Sequence, residues 1–259
     1  MNILALISSA RKKGNTARIV QAIEGHIERL AAAQAIPLDF ETLYLAEMGI
    51  RPCQGCRICF DRGEDKCPLK DDIPAIKAKM DVADAVIFAT PIYVDDVNGV
   101  MKTLLDQLAY LCHRPGFGGK CAFPLATVGS STTKHTLRTL NGALLTWGFH
   151  LVGQAGFKIG ALMPHAEVEN RFQQETTKIA EKLFRAVVRQ QALRPAFVSL
   201  FVFKIQQLSW QHQPSNSYDY AYWKNQGWLE PASTFYFPPR TGRLTVVLAR
   251  LSGAVPLGY

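Results

Sequence analysis

The feature that most constrains this chain is a regular alternation of short apolar runs with amphipathic stretches. Residues 3–7, 85–89 and 122–128 are almost uninterrupted apolar runs. A strand that faces water on one side alternates polar and apolar residues, so runs without that alternation read as strands buried on both faces. Residues 15–33 follow a different period, with Ile19, Ile23, Ile27 and Leu30 falling on one face of a helix. Asp71 and Asp72 open a helix reaching to about Met80, where first-turn carboxylates suit the helix dipole. Residues 98–111 and 133–147 read as further helices. Residues 165–191 form a long charged one, with Phe172, Ile179, Leu183, Phe184 and Val187 on its apolar side. Residues 37–44 and 151–157 supply two more strands. Strands alternating with helices require a parallel sheet covered on both faces.

Right-handed crossovers leave few ways to connect five such strands. The expected arrangement is a doubly wound α/β fold with the flavodoxin-like strand order 2-1-3-4-5 and a ligand crevice at the strand C-termini. This assigns residues 1–191 to one domain. Beyond residue 192 the rhythm stops. Apolar stretches at 196–208 and 244–257 flank an aromatic segment at 218–228, and Trp210, Trp223 and Trp228 are three of the four tryptophans. So short and irregular a segment buries too little surface to be stable alone. Residues 192–259 are therefore expected to pack as an extension on the domain or on a partner subunit.

Charge narrows the partners. Residues 1–191 hold 23 Lys+Arg against 19 Asp+Glu, and residues 192–259 hold 6 against 2, so each part carries +4 of the net +8. A basic balance favours anionic ligands, but no uninterrupted Lys/Arg tract marks a nucleic-acid surface. No apolar run approaches the ~18 residues of a membrane span. The apolar start is followed by basic residues, the reverse of an export signal, so a cytoplasmic protein is expected. A membrane-surface role for the extension ranks last, for lack of a dense cationic face.

Three loops carry candidate chemistry. Ser8, Ser9, Arg11, Gly14, Asn15 and Thr16 lie between the first strand and the first helix. Hydroxyls and backbone N–H groups at a helix N-terminus make an anion site, and arginine adds a planar donor. This loop matches neither a Walker A sequence nor a G-x-G-x-x-G fingerprint. Thr90-Pro91-Ile92-Tyr93 follows the third strand and would sit beside the first loop at the switch point. A flat heterocycle against Tyr93 would have its phosphate tail at residues 8–16. Gly129 and Ser130 follow the fourth strand, where small residues let backbone approach a ring. No H-E-x-x-H or G-x-S-x-G is present, so a hydrolase has no support.

Four of the six cysteines fall at Cys53, Cys56, Cys59 and Cys67, spaced C-x2-C-x2-C-x7-C. In a reducing compartment such a cluster points to metal or redox use rather than disulfides. Thiolates at this spacing suit a four-iron cluster or a tetrahedral zinc ion, with unliganded thiols as the remaining reading. Cys112 and Cys121 are expected in the core.

Together the loop ending in Gly14-Asn15-Thr16, the Thr90-Pro91-Ile92-Tyr93 turn, and Lys102 with Leu105-Asp106 resemble the NADPH-dependent FMN reductase group of flavodoxin-like proteins. So does Cys53-Gln54-Gly55-Cys56, followed by Cys59, Cys67 and Asp71-Asp72. The likeness covers about residues 1–160 and is strongest to the iron-sulfur flavoproteins and their cluster-free relatives. It implies FMN, with the phosphate held by Ser8, Arg11, Asn15 and Thr16 and the ring against Pro91, Ile92, Tyr93 and Gly129. This chain has Ser9-Ala10-Arg11 where the family often has Ser-Pro-Arg. The implied activity is an oxidoreductase passing electrons from NAD(P)H or another donor to a quinone, a flavin or a small electrophile. The alternative is a flavin, or flavin and [4Fe-4S], electron carrier working with a redox protein. Flavodoxin-like reductases build substrate pockets at subunit interfaces, so a homodimer is expected. The flavin performs the hydride chemistry, and no residue is nominated as a catalytic acid or base.

Overall fold

The structure is a computed structural model and describes residues 1–160, 163–189, 195–212, 216–237, 246 and 248. Its elements run β1 (Asn2–Ile7), α1 (Asn15–Ala33), β2 (Asp39–Tyr44), a short α2 (Ile58–Asp61), α3 (Ile73–Val82), β3 (Ala85–Tyr93) and β4 (Asp96–Val97). They continue with α4 (Gly99–Gln107), β5 (Cys121–Val128), α5 (Lys134–Thr146), β6 (His150–Leu151), β7 (Ala155–Lys158), α6 (His165–Val188), α7 (Phe197–Gln211) and α8 (Tyr218–Asn225). The sheet order is β2-β1-β3-β5-β6, with β7 also alongside β5 and β4 folded back on β3. All pairs are parallel except β3 with β4. This is the flavodoxin-like order, with more strands than the five expected.

Alternate residues of the central strands feed two cores, as a doubly covered sheet requires. Ile3, Ala5 and Ile7 of β1, with Ala85 and Ile87 of β3, pack beneath α1 and α6. Leu4, Leu6, Val86 and Phe88 point the other way, towards α3, α4 and α5, and meet Trp147 and Phe149. Each fully buried side chain of this size contributes about 1.5–3 kcal/mol, so the central strands anchor everything attached to their ends.

Three boundaries differ from the sequence reading. The third strand runs four residues past Ala89, so Thr90-Pro91-Ile92-Tyr93 is strand rather than turn. Pro91 lacks an N–H but still pairs with Thr127 across the sheet, and β4 supplies Ile92 and Tyr93 with a partner beyond the sheet edge. The last strand is broken in two. His150 and Leu151 pair with Cys121 and Ala122, whereas 155–158 pair with 125–128. The break contains Gly153, where a Cβ would come within 3.2 Å of Lys182 Nζ and 3.3 Å of the Phe123 ring. The helix expected over 98–111 ends at Gln107 and continues as a 3-10 turn over Ala109–Cys112. The end of the expected 165–191 helix, and the 244–257 stretch apart from Val246 and Leu248, lie outside the described residues.

The described part of the C-terminal segment has its own aromatic core of Leu200, Phe203, Trp223, Trp228 and Phe235. It docks on the α/β domain along residues 112–115. Trp223 Nε1 donates to the His113 carbonyl at 2.7 Å, Tyr222 Oη to the Pro115 carbonyl at 2.7 Å, and Gln206 Nε2 to the Cys112 carbonyl. Among the described residues no helix is long and apolar enough to cross a membrane.

Inside this segment Gln207 is fully buried, and its Nε2 donates to the carbonyls of Trp228, Glu230 and Ser233 at 2.7, 3.1 and 3.2 Å. Gln207→Ala leaves those acceptors without their donor, at about 1–3 kcal/mol. The expected result is faster amide hydrogen exchange over residues 223–233, with exchange in β1 and β3 unchanged. Unaltered exchange over 223–233 would show that Gln207 does not hold the segment.

Candidate functional site

The parallel register brings the C-terminal ends of β1, β3 and β5 to one edge. Ile7 sits beside Ala89, and Ala89 beside Leu125. A cleft of about 710 Å3 opens there, lined by residues 9 and 11–16 of the first loop, 91–93 of β3, 127–129 of β5, and Ile159 and Met163.

At one end of the cleft the backbone is arranged for an anion. Gly14 N donates to the Arg11 carbonyl at 2.9 Å, and the Ser9 hydroxyl accepts from Arg11 N at 3.2 Å, which folds the loop tightly. A Cβ on Gly14 would lie 3.0 Å from the Arg11 carbonyl oxygen, so glycine suits the turn. Gly14 is the N-cap of α1, no side chain caps it, and no acidic residue stands in the first turn. The first-turn N–H groups therefore point towards the cleft end without a side-chain acceptor. Arg11, Lys12 and Lys13 line the same end, and no described lining residue is acidic. Lys12 also pairs with Glu47 at 2.7 Å, which raises its pKa.

The other end is flatter and more apolar. Pro91 is buried, Ile92 half-buried and Tyr93 exposed. Opposite them, a Cβ built on Gly129 would meet nothing within 4 Å, so this position leaves room for a planar group. Thr16 and Thr127, both buried, share a 2.7 Å hydroxyl contact that ties α1 to β5 at the cleft floor.

Nine of the eleven expected cofactor residues line this cleft: Ser9, Arg11, Gly14, Asn15, Thr16, Pro91, Ile92, Tyr93 and Gly129. Ser8 and Ser130 are not among the lining residues. Ser8 is fully buried and directed at the Ala89 carbonyl, because the chain is still leaving the sheet there. Ser130 is exposed. Thr127, Val128, Ile159 and Met163 were not anticipated, since only the fold brings them to this edge. Asn98 was not anticipated either. Its Oδ1 accepts from Met101 N at 3.2 Å as the N-cap of α4, and its Nδ2 donates to the Ser8 carbonyl at 2.8 Å. The signal available in the sequence is an asparagine at a helix start, which reports a cap but not its second partner.

The four clustered cysteines line a separate cavity of about 690 Å3, walled by Phe60, Leu69, Ile73, Pro74 and Tyr110. Cys53 and Cys56 are exposed; Cys59 and Cys67 are half-buried. Asp71 and Asp72 fix the ends of this loop. Asp72 accepts from Gly49 N at 2.7 Å, and Asp71 accepts from Arg51 N at 3.1 Å and from Gln107 of α4. Burial raises the Cys59 thiol pKa, an effect partly opposed by the Arg114 charge. Among the described residues no three Cys, His, Asp or Glu side chains converge on one metal position. The thiols are spread around a cavity instead. Cys121 is a core residue, its thiol pushed up to about 12 by burial. Cys112 is half-buried and accepts from Thr146 Oγ1 at 3.2 Å.

The mouth of this cleft carries backbone strain. Val94 and Asp95, which join β3 to β4, have φ of 50° and 69°. Two positive φ values define a type I′ hairpin, which favours Asn-Gly and disfavours a β-branched residue. Val94 is fully exposed, so no packing offsets the strain. The turn is held from α5, where Thr136 donates to the Asp95 carbonyl at 3.4 Å and Thr139 to Asp96 at 3.1 Å. Replacing Val94-Asp95 by Asn-Gly is expected to stabilise the protein by about 1–2 kcal/mol, with Tm rising about 2–4 °C per kcal/mol in a chain of this size. Thermal unfolding checks this; an unchanged or lower Tm would contradict it.

Comparison with known proteins places these features. The model of the NADPH-dependent FMN reductase family matches residues 1–161. An iron-sulfur flavoprotein of Archaeoglobus fulgidus is 26% identical over 231 residues, spanning 88% of this chain and 100% of that one. One from Methanocaldococcus jannaschii is 31% identical over 159 residues, 59% of this chain and 76% of its own. The solved structure of RosB with bound 8-demethyl-8-formylriboflavin-5'-phosphate aligns over 94% of this chain and 92% of that one, with a TM-score of 0.58 and 13% identity, a likeness of fold.

Proposed function

Because this chain belongs to the NADPH-dependent FMN reductase family, we propose that it is an FMN-dependent oxidoreductase whose cofactor lies along the cleft between residues 9–16 and 91–93. The observation that carries the reading is the polarity of the cleft. One end offers first-turn N–H groups and three cations with no carboxylate among the described lining residues, and the other offers apolar walls and open space beside Gly129. A phosphate on a tail and a planar ring match those two ends.

In this assignment Ser9, Arg11, Asn15 and Thr16 hold the phosphate, and Gly14 permits the turn that presents their backbone. Pro91, Ile92 and Tyr93 flank the ring on one side and Gly129 on the other. Thr127 keeps Thr16 in place, and Asn98 fixes the Ser8 carbonyl so that the first loop keeps its distance from β3. Bound FMN supplies the electron-transfer chemistry, taking electrons as a pair and releasing them as a pair or singly. The electron source is a nicotinamide nucleotide, which the family description supports, and the acceptor is a quinone, a flavin or a small electrophile. Arg11→Ala and Thr16→Val are each expected to weaken FMN binding roughly 10- to 100-fold, the cost of a hydrogen bond to a charged group. Fluorescence titration of the apo-protein checks this. An unaltered affinity in the double variant would contradict the assignment.

The cysteine cavity is assigned to an iron-sulfur cluster held by Cys53, Cys56, Cys59 and Cys67. Two observations support it. Four thiols line one cavity, and the relatives matched over most of their length are iron-sulfur flavoproteins. The thiolates of a four-iron cluster each bind one iron from outside the iron-sulfide cube, so they lie farther apart than those of a single tetrahedral ion, which suits thiols spread around a cavity. Protein purified anaerobically is expected to contain iron and acid-labile sulfide; less than about one iron in ten chains after reconstitution would count against the cluster. The cysteine set also favours a second reading, an electron carrier serving a redox protein. Steady-state oxidation of NADH and NADPH separates the two, since a carrier turns over neither directly.

A further inference from the structure

Arg114 is buried to 2% exposure, whereas the other described arginines are largely at the surface. It follows Cys112 and His113 in the segment where the C-terminal helices dock. Its guanidinium joins three parts of the molecule. Nη1 pairs with Asp219 of α8; Nη2 donates to the Cys59 carbonyl at 2.6 Å and to Glu64 at 3.1 Å. The rings of Tyr110 and Tyr218 lie 5.3 and 4.8 Å from its charge. Asp219 is itself buried and also bonds His113 Nδ1 at 2.8 Å. A second contact crosses the same boundary. Gly63, with φ of 103°, faces Tyr218 so closely that a Cβ would lie 2.8 Å from its hydroxyl.

A buried guanidinium needs a carboxylate nearby, and a buried carboxylate needs a cation, so each is stable here because of the other. That interdependence couples two segments far apart in the chain. The cysteine loop gives Arg114 a carbonyl and a carboxylate, and the C-terminal segment gives it Asp219. If Asp219 is removed, the guanidinium loses its buried counter-charge and its orientation towards the Cys59 carbonyl. Its planar fork makes this geometry-dependent, so lysine supplies the charge without the same set of bonds.

We propose that Arg114, clamped by Asp219 of the C-terminal segment, is a positioning residue for the cysteine cavity: it fixes the backbone at Cys59 and places a permanent positive charge beside a bound cluster. The proposal rests on the assignment of that cavity to an iron-sulfur cluster. Its geometric half concerns the loop alone and is testable without the cluster. The C-terminal segment thus acts on the cysteine cavity through Arg114, since none of its described residues lines that cavity. A positive charge beside a cluster favours the reduced, more negative state, so it raises the reduction potential.

The test uses the full chain with Arg114→Gln, Arg114→Lys and Asp219→Asn. In the metal-free protein, alkylation by iodoacetamide is followed cysteine by cysteine in peptide masses. Cys59 is expected to react about tenfold faster in Arg114→Lys and Asp219→Asn, both of which keep the positive charge that favours its thiolate, the factor that matches one lost hydrogen bond to a charged group. The exposed Cys53 keeps its rate as an internal reference, and the buried Cys121 stays protected unless the whole domain opens. Should Arg114→Lys also expose Cys121, Asp219→Asn decides by the same Cys59-to-Cys53 ratio. In protein that holds iron and sulfide, Arg114→Gln is expected to lower the reduction potential while Arg114→Lys largely retains it. An unchanged Cys59 rate in Asp219→Asn with Cys121 protected overturns the clamp. Equal potentials in wild type and Arg114→Gln overturn the charge effect. A chain that binds no iron would remove the cluster assignment and leave the alkylation result to judge the clamp.

Discussion

The hydrogen-bonded register of β1, β3 and β5 sets the cleft that we assign to FMN. These strands are covered on both faces, so their backbone groups have no water to fall back on, and each must pair with a neighbour. Pairing Ile7 with Ala89 and Ala89 with Leu125 makes the strands end in step. The loops that leave them then emerge at one edge. A slip of one residue would turn Leu4 and Leu6 into the space that Ile3, Ala5 and Ile7 fill, exchanging the two cores. The cleft geometry is thus set by the burial of side chains that never touch a ligand.

A continuous set of polar contacts extends from that edge to the cysteine loop. Asn98 holds the Ser8 carbonyl and caps α4. At the far end of α4, Gln107 Nε2 donates to the Arg51 carbonyl and to Asp71, where the cysteine loop begins and ends. One helix therefore carries the positions of both sites. On the opposite side, Arg114 and the segment 112–115 attach the same loop to α7 and α8. The loop has little regular structure of its own, and its shape comes from these attachments.

The strand and helix sequence, its parallel order and most of the cleft were legible because they depend on local pattern. Ile19, Ile23 and Ile27 announce the buried face of α1, and all three are buried. The basic end of the cleft was legible for the same reason, since 9–16 is one short segment at a helix start. What could not be read depends on contacts between distant segments. Thr127 matters because it meets Thr16, 111 positions away. Arg114 reads as an ordinary loop cation until Asp219, 105 positions on, is seen to share its burial. The strained Val94-Asp95 turn was hidden by chemistry, since the β-branched Val94 is not a usual type I′ former and the strain is held from α5. The burial of Ser8 was not legible either, because it follows from the Ala89 carbonyl, 81 positions away, which accepts from the Ser8 backbone N.

The central claim is that the basic, uncapped end of the cleft holds the cofactor's phosphate. Calorimetric titration of the metal-free, flavin-free protein with FMN and with riboflavin tests it most directly, since the two ligands share a ring and differ in that phosphate. The account predicts that FMN binds at least about tenfold more tightly than riboflavin, as a charge-assisted contact of about 1.5–3 kcal/mol requires, and that the difference shrinks as salt is added. Equal affinity for the two flavins would contradict it.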